Sequence, residues 1–394
     1  MGSTSRQAIA IAEMNIRSIP QRFWMSLSTV VAIALVVTVL LAFLAMANGL
    51  SQSQRNAGSP DIAILMRDGA GAELNSVVSR EQGMLIEEAP GVARVDGKPL
   101  VSGELYIIVD GKARSSGLPA NLPLRGLSEQ GLALRHGVRI TEGRMLRPGT
   151  NEIVVGRGVV REFLGFEVGK TLRLGQNTWS IVGIFEDGGT VRESELWADV
   201  GVVQSAFKRL NTFQTFRARL NSPDDIAAVK RYNDADPRLK LSVQTEAEYF
   251  GEQAKGSRGI LILGWILAIV MSIGALAGAL NTMYSSVAAR GREIATLRAI
   301  GFGGFPTFIG TLAEALVLAL VGGLVGVVAA TLIFHGFTAK TLGANFTQVV
   351  FTFQVTPALT VTALVLALSV GLVGGVLPAW RAARLPIVGG LGEE

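Results

Sequence analysis

Four long apolar runs constrain this sequence more than any other feature. The first covers residues 23–54 and contains no charged residue. Its densest part, 24–47, exceeds the roughly 20 residues that a helix needs to cross a ~30 Å hydrocarbon core. The later runs cover about 261–284, 306–334 and 357–377. Because a helix satisfies its backbone hydrogen bonds internally, runs of this length predict four membrane-spanning helices.

The start of the chain has two interpretations. Residues 1–22 are basic and predict an amphipathic helix near 7–19, and the first apolar run then follows as a membrane anchor. The rival is a cleaved signal peptide, whose apolar region is about 7–15 residues long. The run is too long for that, so we expect an uncleaved anchor. The predicted apolar side of the amphipathic helix, from which Ile11 is excluded, consists of Ile9, Ala12, Ile16 and Ile19.

The stretch between the first two runs, residues 49–257, carries equal numbers of basic and acidic residues. Its periodicity and turn residues predict a mixed α+β domain with two small lobes around 101–149. We expect helices near 79–89, 158–163 and 224–234, strands at 105–109 and 152–155, and a hairpin of 171–174 with 179–185.

The net charge of +5 lies entirely in the segments that flank the runs. Lys and Arg beside membrane spans stay in the cytoplasm, and one side collects Arg6, Arg17, Arg22, Arg290, Arg292, Arg298, Arg381 and Arg384. The other short flanks hold little beyond Arg258 and Lys340. We therefore expect a multi-pass protein of the inner (cytoplasmic) membrane with both termini in the cytoplasm.

The predicted fold class is membrane α-helical, with four transmembrane helices (one plus three) and a large α+β extracytoplasmic domain inserted between helices 1 and 2. The expected order is an N-terminal segment 1–22, helix 23–48, extracytoplasmic domain 49–257, helix 258–284, cytoplasmic loop 285–305, helix 306–335, extracytoplasmic loop 336–354, helix 355–378 and cytoplasmic tail 379–394.

Composition argues against an enzyme. The chain has no cysteine, and its histidines, His136 and His335, fall in separate segments. Gly165 and Gly169 with the Lys-Thr that follows resemble a P-loop, but three residues separate the glycines where the motif has four, and a strand is predicted next. We expect no catalytic, cofactor-binding or metal-binding residues, and no affinity for nucleic acid.

Each of the last three runs contains a GxxxG pattern, which lets helix backbones approach closely. The alternative is that glycine is simply frequent in membrane helices. Three pairs in three spans favour a tightly packed bundle, and they are Gly274/Gly278, Gly322/Gly326 and Gly371/Gly375.

Glu314 is the acidic residue predicted to lie inside a span. It could serve as a proton or substrate site, or it could make a structural hydrogen bond to a neighbouring helix. No second Asp, Glu, Lys, Arg or His lies within the four apolar runs to form a relay, which favours the structural alternative.

The loop between the second and third runs, 285–301, is charged and has helical periodicity. Ile294, Leu297 and Ile300 recur at helical spacing, and Gly301 suits the end of a helix. Taken alone, the loop reads as a short amphipathic helix on the cytoplasmic face, consistent with an ordinary interfacial loop.

Several motifs resemble the MacB-like (type VII, FtsX-like) ABC-transporter permeases. The segment Arg292–Gly301, REIATLRAIG, resembles the cytoplasmic coupling segment of that family. Glu314-Ala-Leu before Gly322 and Gly326 is similar to its third span, and 378–386 to its C-terminal exit. Residues 152–155, 168–171 and 179–183 resemble its periplasmic core domain. The resemblance covers nearly the whole chain.

The resemblance implies a homodimer or paired permeases driven by an ABC ATPase homodimer on a separate subunit, which would hold ATP and Mg²⁺. It implies that the coupling segment contacts that ATPase through Arg290, Glu293, Ile294, Leu297 and Arg298, with Gly301 ending the helix. A periplasmic adaptor protein stays open as a further partner, and membrane lipid surrounds the spans.

Two functions follow from that family. The first is a permease that moves an apolar or amphipathic substrate outward from the periplasm or outer leaflet by mechanotransmission. The second is a cargo-free mechanotransmitter that regulates a periplasmic cell-wall hydrolase or sensor.

Overall fold

The computed structural model describes residues 2–135, 137–256, 258–342 and 348–385. The chain divides into two compact units. We call Met1–Asn48, Arg258–Phe337 and Phe353–Glu394 the helical unit, and Gly49–Ser257 with Thr338–Thr352 the α+β unit.

The α-helices of the described residues are α1 Gly2–Arg17, α2 Phe23–Arg55, α3 Arg80–Glu87, α4 Glu129–Ala133, α5 Arg157–Glu162, α6 Val200–Ala206, α7 Ile226–Ala235, α8 Glu246–Lys255, α9 Arg258–Ala289, α10 Gly291–Ala299, α11 Gly304–Phe334 and α12 Pro357–Ala383.

The strands of the described residues are β1 Ile62–Arg67, β2 Val78–Ser79, β3 Arg94–Val95, β4 Lys98–Pro99, β5 Val101–Ala113, β6 Pro119–Leu127, β7 Arg139–Gly143, β8 Glu152–Gly156, β9 Phe163–Leu164, β10 Thr171–Leu174, β11 Asn177–Glu186, β12 Leu196–Asp199, β13 Thr212–Phe213, β14 Thr215–Arg219, β15 Leu241–Thr245, β16 Thr338–Leu342 and β17 Gln348–Thr352.

Four helical stretches are long and apolar enough to cross a membrane, and they contain α2, α9, α11 and α12. Each contains one of the four apolar runs. The sequence prediction of four candidate spans is thereby confirmed, and the chain is a multi-pass membrane protein.

Glycines set the packing of the helical unit. A Cβ on Gly326 would lie 2.6 Å from the carbonyl oxygen of Ala34 in α2, and one on Gly371 would lie 2.3 Å from Cβ of Ala319 in α11. Side chains at these positions would therefore separate the helices. A Cβ on Gly322 would lie 2.9 Å from the carbonyl oxygen of Val30 in α2, and one on Gly375 would lie 2.6 Å from Cβ of Ala315 in α11.

The third glycine pair differs from the other two. A Cβ on Gly274 or Gly278 in α9 would meet nothing within 4 Å. Both glycines are exposed. Within the described chain this pair therefore packs against no other helix, and its face is left open.

Helix α1 packs against α11 through a face that the sequence did not predict. Ile11 is buried, and a Cβ on Gly310 of α11 would lie 2.4 Å from its Cγ2 atom. Ile9, placed on the apolar stripe by its spacing, is 66% exposed. The buried side of α1 is thus set by the fit of Ile11 to a glycine.

The α+β unit is built on one mixed sheet in the order β10-β11-β8-β12-β6-β5-β14-β1-β15, with β7 paired to β11 and β9 to β5. The predicted hairpin is present, with Leu174 opposite Asn177. The helix predicted from residue 79 is present as α3, and Ser79 caps it with a capping box.

Strand β5 joins the two lobes of this unit. From Val101 to Glu104 it pairs with β14, and from Leu105 to Lys112 with β6. Val101 belongs to one buried apolar core and Leu105 to another. The two lobes therefore meet on a continuous strand, because the sheet does not break between their cores.

The segment expected as a loop at 336–354 contains the hairpin of β16 and β17. The backbone N–H of Val350 donates to Oγ of Ser194 at 2.8 Å, which attaches the hairpin to the α+β unit. Residues 343–347 lie outside the described residues, as do the predicted tail residues 386–394.

A buried ionic network crosses the junction of the lobes. Arg217 on β14 pairs with Glu73 at 2.7 Å, with Glu246 at 2.7 Å and with Glu104. Arg125 on β6 also pairs with Glu73 and Glu104. Burial alone would raise the pKa of Glu73, but the charges and hydrogen bonds of both arginines outweigh it and lower that pKa to about 2.

Replacing Arg217 with Met should destabilise the α+β unit by about 3 kcal/mol or more, because three buried carboxylates lose a partner. Thermal unfolding of the detergent-solubilised chain measures this. Arg238→Met is the control, since Arg238 pairs with Asp236 at the surface and its loss should leave the midpoint unchanged. Equal midpoints for the two variants would contradict the role of the network.

Candidate functional site

The candidate site is α10, the short helix that joins α9 to α11. It is capped by Ile300, and Gly301 follows with φ +104°. That left-handed conformation favours glycine and ends the helix, as the sequence predicted. Gly303 then opens α11, with Pro306 in its first turn.

Arg290, the residue before α10, fixes this helix to its neighbours. Its side chain is 5% exposed and contacts Glu293 at 3.0 Å and Glu314 of α11 at 3.3 Å. Its Nη2 atom donates to the side-chain oxygen of Asn15 in α1. A guanidinium can donate five hydrogen bonds in a planar fork, so one residue can join α1, α10 and α11.

Glu314 faces this cluster. Besides Arg290, it accepts a hydrogen bond from Oγ of Ser286 in α9 at 3.4 Å. Ser286 in turn accepts one from Arg22. Glu314 is thus contacted by Ser286 of α9 and by Arg290 of the loop, which favours the structural alternative. Its ionic partner, Arg290, lies between α9 and α10, outside the predicted spans.

The buried face of α10 consists of Ile294 and Ala295. Ile294 packs in one cluster with Val287 and Ala382. Arg298 is half-buried, and its Nη1 atom donates to the carbonyl oxygen of Leu385. These contacts tie α10 to the end of α12.

The opposite face of α10 is exposed, and its residues are Arg292, Glu293, Thr296, Ala299 and Ile300. Ile300 is 69% exposed. At 100° per residue, positions six apart differ by about 120° around the helix, so Ile294 and Ile300 lie on different faces. The single stripe of Ile294, Leu297 and Ile300 predicted from spacing is therefore split by the fold.

Two of the residues expected to contact a partner are corrected by this geometry. Arg290 and Ile294 are buried within the chain, so they anchor α10 and offer no surface. Glu293 is exposed, and Leu297 and Arg298 are half-buried. Thr296 and Ile300, which were not expected to contact a partner, are also exposed, and their spacing of four residues places them on one face.

Within the described ranges, no group of three or more His, Asp or Glu side chains is placed to hold a metal ion. Among these carboxylates, Glu186 pairs with Arg157 and Asp187 with Arg192.

Comparison with known families matches most of the chain. A family model described as the MacB-like periplasmic core domain matches residues 26–233, and one described as the FtsX-like permease C-terminal domain matches residues 265–387. The chain belongs to the MacB-like ABC transporter permeases. α10 lies inside the second match.

The names of similar proteins are consistent with this family. The chain is 24% identical over 332 residues to the macrolide export ATP-binding/permease protein MacB of Hahella chejuensis, covering 78% of this chain and 48% of that protein. It is 25% identical over 402 residues to the uncharacterized ABC transporter permease YvrN of Bacillus subtilis, covering 93% and 94%. The chain thus spans about half the length of the former relative and nearly all of the latter.

Among solved structures, the periplasmic region of MacB from Actinobacillus actinomycetemcomitans aligns with 12% identity and a TM-score of 0.38. The alignment covers 49% of this chain and 92% of that one.

Replacing Arg290 with Met should destabilise the helical unit by about 3 kcal/mol, because Glu314 stays buried without its counter-charge. Removing both charges, in Arg290→Met with Glu314→Gln, should recover part of that loss. Thermal unfolding of all variants in detergent gives the coupling energy of the pair. The control is Arg17→Met, whose pair with Glu13 is exposed. Additive effects of the two substitutions would rule out the proposed pairing.

Proposed function

We propose that this chain is the permease subunit of an ABC transporter in the inner membrane. It couples ATP hydrolysis by a separate ATPase, which holds ATP and Mg²⁺, to outward movement of an apolar or amphipathic compound. The observation that carries the proposal is the exposed face of α10, backed by the buried Arg290 cluster. A surface helix that receives force needs a rigid attachment, and this one is joined to four neighbouring segments.

The proposed topology is one span, the α+β unit outside, and three further spans. The arginines that flank the spans support a cytoplasmic position for α10 and both termini. An ATPase, which uses cytoplasmic ATP, would then reach α10 and not the α+β unit.

The proposed docking surface is Arg292, Glu293, Thr296, Ala299 and Ile300. Burial of a side chain as exposed as Ile300 against a partner would contribute about 1.5–3 kcal/mol to the free energy of association. Hot spots of this kind commonly dominate an interface. Arg292 and Glu293 carry opposite charges and would select the orientation of the partner.

Force would pass from α10 to α11 through Arg290 and Glu314. The chain also leads from α10 back through α9 to α8, which immediately precedes α9 in the sequence. The first residue of α8, Glu246, pairs with Arg217 and Arg192 in the α+β unit. A displacement of α8 therefore pulls on the ionic network that joins the lobes.

A second copy of the chain would cover the open face of α9. Gly274 and Gly278 lie exposed on this face, in a helix that also exposes Ile266, Val270 and Ile273. Paired glycines support close helix association in lipid, where packing and not hydrophobicity drives contact. A homodimer through α9 is therefore part of the proposal.

Replacing Ile300 with Asp should weaken ATPase docking about tenfold or more. In the complex, a charged carboxylate would replace an apolar side chain that the ATPase covers. The measurement is ATP hydrolysis by the reconstituted complex as the ATPase is titrated. Leu210→Asp is the matched control, because Leu210 is 68% exposed and lies in the α+β unit. Unchanged titration curves for Ile300→Asp would refute the docking surface.

Replacing Gly274 with Leu should separate the two copies while leaving each chain folded, because a Cβ at this position meets nothing within 4 Å among the described residues. Replacing Gly322 with Leu should instead unfold the helical unit, since a Cβ there would lie 2.9 Å from the carbonyl oxygen of Val30. Native mass spectrometry and thermal unfolding distinguish the two results. A Gly274→Leu variant that stays dimeric would place the dimer contact elsewhere.

A further inference from the structure

A groove of about 360 Å³ opens in the α+β unit where its two lobes meet. One side is α3, which packs on the apolar core that contains Val101. The other side includes Val200 at the start of α6. Val200 packs against the apolar cores of both lobes. The volume lies within the range of small-molecule sites, which are mostly apolar with a few placed polar groups.

The deep part of the groove is aromatic. Phe213 and Phe216 are buried, and their ring centroids lie 4.9 Å apart. A Cβ on Gly83 would lie 2.3 Å from the ring of Phe216, and one on Gly103 would lie 2.7 Å from the ring of Phe213. The two glycines thus allow both rings to lie directly against α3 and β5, which gives the groove an apolar floor.

The exposed part of the groove is charged. Arg80 and Lys98 line it together with a single carboxylate, Glu87. Arg80 lies 5.9 Å from the ring centroid of Phe213 and donates a hydrogen bond to the side chain of Asn211. In the part of the chain that the structure describes, neither Arg80 nor Lys98 forms an ion pair. The mouth of the groove therefore has a net positive charge above an aromatic floor.

We propose that this groove binds a small amphipathic organic anion. Its apolar body would lie on Phe213 and Phe216, and its acidic group beside Arg80 and Lys98. The two cations favour an anion over a neutral or cationic compound, because exposed cations without ion-pair partners attract negative charge without first losing a partner. Binding stands on this geometry alone, whereas the assignment of the anion as cargo rests on the proposed transport function.

The position of the groove links binding to conformation. A ligand that touches α3 on one side and Val200 on the other binds one arrangement of the lobes better than another. The ionic network joins the same two lobes through neighbouring strands β6, β5 and β14. A pull on Glu246 that alters this network would alter the affinity of the groove, as release of a cargo requires.

The experiment titrates the full chain in phosphatidylcholine nanodiscs with 8-anilinonaphthalene-1-sulfonate, an aromatic anion, with empty nanodiscs as the blank. Replacing Arg80 and Lys98 with Gln should weaken binding about tenfold. Glu87→Gln should strengthen it about threefold, since it removes the one like charge. The uncharged N-phenyl-1-naphthylamine should bind all these variants equally.

Arg173→Gln is the matched control, because Arg173 is exposed on β10 at the far edge of the sheet. Its affinity for the anion should equal that of the parent chain. Met84→Trp tests the site by volume: Met84 is 55% exposed, so the variant should fold, and its indole should block both probes. Thermal unfolding checks the fold of each variant.

The outcomes separate this proposal from the transport function. The proposed anion site would be refuted by equal anion affinity in the parent chain and the Arg80/Lys98 variant, or by weaker anion binding in Glu87→Gln. Charge-dependent binding without any ATP-driven movement of the probe in vesicles would keep the groove and count against transport. ATP-driven movement of other apolar compounds, with anion binding that does not depend on Arg80 and Lys98, would support transport and count against the groove as an anion site.

Discussion

A buried guanidinium organises the helical unit. Burying the charge of Arg290 costs free energy unless protein groups replace the water that it loses. Here Glu293, Glu314 and Asn15 accept its hydrogen bonds. These partners belong to α10, α11 and α1, so satisfying one charge fixes the positions of three helices. The orientation of α10 follows from this, and with it the face that stays exposed. The candidate docking surface is thus a consequence of an interaction on the opposite side of the same helix.

The α+β unit uses the same principle at its lobe junction. Glu104 of β5 lies between Arg125 of β6 and Arg217 of β14, and Arg135 pairs with it at 2.8 Å. Buried ion pairs often add little net stability over well-packed apolar residues, because desolvation offsets their attraction. Their geometry is nevertheless demanding, since a carboxylate separated from its arginine would be left buried and unpaired. The network therefore fixes how the lobes meet more than it adds to their stability.

Features that depend on neighbouring residues were predictable from the sequence. The helix expected near 79–89 forms, with Ser79 as its N-cap, and the hairpin of 171–174 with 179–185 forms as its spacing indicated. Gly301 ends α10, as its place after the periodic segment suggested. The candidate helix was therefore located correctly. Its exposed face was not, because spacing separates Ile294 from Ile300 around the helix but does not say which of the two the rest of the chain buries.

By itself, the sequence determined the four apolar helices, the polar α+β region between the first two, and the position of the short charged helix. These depend on hydrophobic length, periodicity and turn residues, which act over a few residues. Only the tertiary structure decided that Arg290 is buried and Ile300 exposed, that Gly322 packs while Gly274 is open, and that Ile11 faces α11 in place of Ile9. The reason is that burial depends on which distant segment supplies a complementary shape or charge, and one segment's pattern does not contain that information.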